Sequence, residues 1–153
     1  MKIKSNVPAA TQAELDKAFP NVEPGFFPLG SRVIVQLRSP KLSTAGGIKL
    51  PDEVIETEMW NTQIGKIRAL GALAFKNREH MTDWPEGAWA QVGDYVRIPK
   101  FNQDKWFIDV PCKIKGLNGK EYDSEERILF MLINDLDLLA LKVGNPLEVK
   151  AYI

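Results

Sequence analysis

With 153 residues, the chain has the length of one domain with additions rather than two full domains, and its 20 Lys and Arg balance 20 Asp and Glu. Zero net charge argues against a general nucleic-acid binder, which carries a basic surplus, and a single cysteine excludes an intrachain disulfide. No apolar run approaches membrane-spanning length and residues 1–22 lack the apolar stretch of a signal peptide, so the expected location is the cytoplasm.

Residues 1–27 read as an N-terminal extension with one short helix. Thr11 and Glu14 have capping-box spacing, Leu15, Ala18 and Phe19 share a face behind them, and Pro20, Pro24 and Gly25 end the helix. From Phe27 onward strand signals dominate. Residues 32–37 (RVIVQL) are β-branched and follow the breaker Pro28-Leu29-Gly30. Further runs are residues 64–70 (IGKIRAL), 95–98 (YVRI) and 106–108 (WFI). The wholly apolar ILFMLI at 128–133 suits a buried strand, and Asn134-Asp135 separates it from 136–143 (LDLLALKV). By content, 128–143 fits one long helix equally, but the Asn-Asp break and the length of each half favour two strands. Short strands with Gly/Pro punctuation predict an all-β barrel or sandwich. Three stretches read as non-strand: 38–62, 72–91 and 109–127. Loops this long in a small domain are usually functional or disordered.

Catalytic motifs are hard to assemble from these residues. His80 stands alone beside Glu79 and Asp83 and reads as a solvated surface residue. Cys112 follows Pro111 without a CxxC partner and reads as a packing thiol. Gly46-Gly47 is too short for a phosphate loop and no GK[ST] follows it. The carboxylates between Asp52 and Glu58 are sequential rather than convergent, and Trp60, Trp84, Trp89 and Trp106 read as packing residues. No enzymatic activity, cofactor or metal is expected.

One stretch is informative. PLGSRVIVQLRSPKLSTAGGIKLPD places a strand, then a polar segment, then Gly-Gly-Ile-Lys-Leu. Pro28, Leu29, Arg32, Val33, Ile34 and Val35, followed by Ala45, Gly46, Gly47, Ile48 and Leu50, resemble the first strand and chaperonin-binding loop of GroES-type co-chaperonins. Residues 65–71 (GKIRALG), 92–96 (VGDYV) and 136–140 (LDLLA) resemble later strands of that family in the same order. The resemblance implies a small GroES-like β-barrel over 28–143, with a mobile loop at about 38–62, a roof-like insert at about 72–91 and a further insert at about 109–127. It implies a seven-membered ring that caps a GroEL-type chaperonin and encloses unfolded client proteins, with ATP bound and hydrolysed by the partner. No nucleic-acid or membrane partner is expected. The extension 1–27, the longer 72–91 and 109–127, and the tail 144–153 depart from the family's small members and resemble divergent co-chaperonins of tailed bacteriophages, which would act in the host cytoplasm.

In an extended segment residues i and i+2 point the same way, so Ile48 and Leu50 share a face and Lys49 lies off it. Burying both aliphatics in a groove contributes about 3–6 kcal/mol. Ordering the segment costs about 1–2 kcal/mol per residue, so one loop binds weakly and a ring of loops gains by avidity. Gly46-Gly47 leaves the backbone free to bend beside these anchors. Lys49 replaces the apolar residue the family carries between them. Taken locally, Ala45-Gly46-Gly47 also fits a plain hairpin turn with Ile48 and Leu50 in the core. Two other functions stay open: a virion-associated structural or assembly barrel without chaperonin binding, and a trimeric barrel enzyme of dUTPase type, which GGIKLP faintly resembles.

Overall fold

The computed structural model describes residues 11–39, 63–99, 104–115 and 118–148. The N-terminal helix α1 spans Gln12–Ala18. Its cap is the expected one: the Thr11 hydroxyl accepts from the backbone N–H of Glu14 at 3.2 Å and donates to the Glu14 carboxylate. Ala18 and Phe19 are buried and Leu15 half-buried, so the predicted face packs on the domain.

Six strands follow: β1 (Arg32–Leu37), β2 (Ile64–Leu70), β3 (Tyr95–Arg97), β4 (Asp104–Lys115), β5 (Glu121–Asn134) and β6 (Ala140–Leu141). They pair antiparallel in the order β4-β5-β1-β2-β3-β6, giving the small all-β barrel that the strand pattern predicts, with one short helix ahead of it. Side chains from the inner faces of β1 (Val33, Val35, Leu37), β2 (Ile67), β3 (Val96) and β5 (Leu129, Met131, Ile133) meet in one core. Phe75, Ala74 and Ala90 join it from the connection between β2 and β3.

The outer face of β1 and β5 is also covered. Ile34, Ile128 and Phe130 are fully buried there, with Val22 of the N-terminal extension and Trp106, Ile108 and Val110 of β4 against them. Trp106 is tied to the extension twice: its indole N–H donates to the Pro24 carbonyl at 2.8 Å, and its ring meets Phe26 edge-on at 5.0 Å. The two-sided burial explains the unbroken apolar run at 128–133, because odd residues fill the inner core and even residues the outer one.

Two sequence expectations change. Residues 109–115 and 121–127, expected as non-strand, are strand. They are the far half of the β4–β5 hairpin, paired in continuous register from Asp104↔Leu132 to Lys115↔Glu121. The polar composition that hid this belongs to an arm reaching past β1, which pairs only with residues 130–134 of β5. Exposed cross-strand contacts hold the arm: Arg127 lies 3.8 Å over the Phe107 ring and 3.4 Å from Asp109. Pro111 is tolerated because, among the described residues, β4 is an edge strand with no ladder to feed on its free side.

The second change concerns 136–143. Asn134 does end a strand, but a 3-10 turn at Asp135–Asp137 comes next, and only Ala140–Leu141 pair as β6. Asp135 is buried, and its carboxylate accepts from the backbone N–H of Leu136 at 2.8 Å and of Phe75 at 2.9 Å. That local bonding competes with a strand.

Candidate functional site

The expected docking segment connects the two central strands. Its chosen residues Gly46, Gly47, Ile48, Lys49 and Leu50 lie outside the described residues, as do Ala45, Trp60 and the carboxylates from Asp52 to Glu58. The structure describes the root from which the segment leaves and to which it returns. Leu37 pairs with Gly65, and the Arg38 N–H donates to the Ile64 carbonyl at 3.4 Å, so the two stems stand side by side. On the return stem, the Gln63 carbonyl accepts from Ile98 N–H at 2.9 Å and its side chain from Arg97 at 3.3 Å.

Glycine at both ends of β2 is a steric requirement. A Cβ on Gly65 would lie 2.2 Å from the Val35 side chain and 3.1 Å from the Gln36 carbonyl. One on Gly71 would lie 2.1 Å from the Gly30 carbonyl oxygen. The sequence pattern that brackets this strand with glycine therefore reflects β2 lying tight on β1 and on the turn before it.

Between those glycines β2 carries a bulge. Ile34 pairs with Ala69 and Val35 with Ile67, which leaves Arg68 without a counterpart on β1. The bulge aims Arg68 along the outer face. Its guanidinium donates to the Gln36 side chain at 2.5 Å, to the Pro20 carbonyl at 2.9 Å and to the Phe19 carbonyl at 3.3 Å. Gln36, wholly buried, donates in turn to the Pro20 carbonyl at 2.8 Å. Burial pulls the Arg68 pKa below the usual arginine value, against raising contributions from Tyr95 and Glu23. This polar knot pins the chain after α1 to the loop-bearing strands. Sequence reasoning missed it, although Gln36 in an otherwise apolar run and Arg68 in the neighbouring strand were the visible signals.

His80 is exposed. Cys112 is half-buried, and burial followed by the nearby Glu126 charge pushes its thiol pKa up, away from nucleophilic character. No group of three or more His, Cys, Asp or Glu side chains suited to a metal occurs among the described residues. Trp84 and Trp89 pack with Phe75, at centroid distances of 5.5 Å for Phe75–Trp84 and 4.8 Å for Trp84–Trp89. No helix among the described residues is long and apolar enough to cross a membrane.

The family model for the chaperonin 10 kDa subunit matches residues 26–141, most of the chain and every strand of the barrel. The chain belongs to the chaperonin 10 kDa subunit family. No curated protein matches it. The GroES-like resemblance seen in the strand motifs thus holds at the level of the family and its all-β fold, and a co-chaperonin role is the general function that this family carries. The match includes the whole connection between β1 and β2. It excludes α1 and the outer-face strap that follows it as far as Gly25, and the segment after Leu141.

Proposed function

We propose that this protein is a co-chaperonin that caps an ATP-dependent GroEL-type chaperonin ring through residues 43–50 and assists folding of client proteins in the closed chamber. The observation that carries this reading is the family match across both central strands and the segment between them, whose stems stand together at the end of that strand pair. Ile48 and Leu50 are the apolar anchors, Gly46 and Gly47 the hinge, and Lys49 stays in water. The weakness of one such contact makes a ring of copies, seven on the family pattern, part of the mechanism. ATP is bound and hydrolysed by the chaperonin, and the site of action is the cytoplasm, that of a host cell if the chain is phage-encoded. Residues 72–91, folded into a compact turn-rich lobe around Phe75, Trp84 and Trp89, take the place of the roof.

The test is capture by a bacterial chaperonin with and without nucleotide. Nucleotide-dependent capture of the wild type, lost in the Ile48→Asp/Leu50→Asp double variant with an unchanged circular dichroism spectrum, is the expected result. Equal capture of the double variant overturns the assignment of the segment. Absence of capture in every condition overturns the co-chaperonin reading and favours a structural role. Native mass spectrometry separates seven subunits from the three of a dUTPase-type trimer.

A further inference from the structure

The two described segments outside the family match converge on the root of the docking segment. From the N-terminal side, the Ala18 carbonyl accepts from the Ser39 backbone N–H at 2.7 Å, and Phe19, 2% exposed, packs on Ile64 and edge-on to Tyr95 at 5.1 Å. From the C-terminal side, Leu147 packs on the same cluster of Ala18, Phe19, Ile64 and Tyr95, and its carbonyl accepts from the Arg38 guanidinium at 3.2 Å. The Leu147 turn is itself braced. Its N–H donates to Asn145 at 2.9 Å, Pro146 is buried, and Glu148 pairs with Lys142. The outgoing stem, Arg38-Ser39, is therefore held by both added segments, and the returning Ile64 lies beneath the same apolar cluster.

We infer that residues 18–20 and 145–148 form a collar that fixes the direction in which the docking segment leaves the barrel, with Arg38 and Leu147 as positioning residues for chaperonin binding. The inference rests on the co-chaperonin reading and deepens it. A segment whose root is already ordered loses less freedom when its anchors dock, and copies around a ring present their anchors at a common angle. Both effects raise affinity without a new contact to the partner. A strained or flexible root would spend part of the docking free energy on ordering residues that here are bonded beforehand.

The experiment uses the full chain carrying Arg38→Ala or Leu147→Ala, with Leu147→Met as the variant that keeps the packing. Ile108→Ala on the outer face of β4 is a control that loses core area away from the root. Hydrogen exchange at the Ser39 amide reports the collar, and chaperonin affinity in nucleotide reports docking. The expected result is faster exchange at Ser39 and docking weakened about tenfold, the equivalent of about 1.4 kcal/mol, for both Ala variants. Leu147→Met and Ile108→Ala dock like the wild type. Ala variants that open the root yet dock normally overturn the collar and leave docking intact. Ile108→Ala weakened to the same extent overturns it too, because the effect is then one of general stability. A wild type that does not dock overturns both readings together.

Discussion

The carboxylate of Asp135 accepts the backbone N–H of Phe75 at 2.9 Å, joining the lobe between β2 and β3 to the turn after β5. Phe75 sits at φ 60, a left-handed conformation that costs a non-glycine residue energy, and its ring is buried in the core. Asp135→Ala leaves the buried Phe75 N–H without an acceptor at the point where the backbone is strained. The expected loss is about 2 kcal/mol of unfolding free energy, measured by urea denaturation. A loss within 0.5 kcal/mol, roughly that of an ordinary surface change, would show that the bond does not hold the lobe.

Gly71→Ala places a methyl against the Gly30 carbonyl oxygen, a backbone atom that cannot swing away. The β2–turn contact must open, at a cost of about 3 kcal/mol, and Tm should fall by roughly 6–12 °C. Gly87→Ala is the contrast: nothing lies within 4 Å of its Cβ position, so its cost comes only from its φ of 75 and should be smaller.

Glu126 gives a pH dependence of definite sign. Burial, the larger influence, raises its pKa above the ordinary value of 4.5, with nearby Ser39 acting in the opposite sense. The Ser39 hydroxyl closes no hydrogen bond among the described residues, so burial dominates. In the unfolded chain the carboxyl ionises near its ordinary value, whereas the folded protein resists ionisation. The stability tied to this group is therefore complete at acid pH and is lost as pH rises through the folded-state value. Glu126→Gln should be more stable than the wild type at pH 7, with the difference vanishing below the ordinary value. Thermal melts across that range read it directly, and an advantage that grows towards acid would contradict the sign.

The lobe offers a way to separate capping from chamber shape. Removing all of 72–91 would take Ala74, Phe75 and Ala90 out of the core. Replacing only residues 77–82 with Asn-Gly spares them, because Lys76 and Asp83 already face each other as an antiparallel bridge suited to a two-residue turn. This variant should dock on the chaperonin like the wild type while changing the size of client it encloses. Loss of docking would place the tip of the lobe in the interface instead of the roof.

Much of this fold was legible from period and punctuation. The capping box before Gln12, the β-branched run at 32–37 and the glycine-bracketed 64–70 each appear where the sequence predicts them, because local bonding and packing there agree. The arm at 109–127 was not legible. Asp109, Lys113, Lys120, Glu121, Asp123 and Glu125 face solvent, and the pairing of the arm depends on cross-strand register that no local pattern reports. The knot of Gln36 and Arg68 escaped for a related reason: a bulge that adds one residue changes where a side chain points without changing composition. The anchors Ile48 and Leu50 rest on motif order alone, since their part of the chain lies outside the described residues.

The collar has a consequence for how the protein is made. The root is completed only when Leu147 reaches Arg38 and Phe19, which emerge more than a hundred positions earlier. Outer-face burial of Ile34 must likewise await β5. A nascent chain stalled before β5 therefore exposes the apolar faces of β1 and β2. A protein proposed to serve chaperonins would itself be a chaperone client during synthesis, and pausing translation after residue 120 should increase its capture by ribosome-associated chaperones.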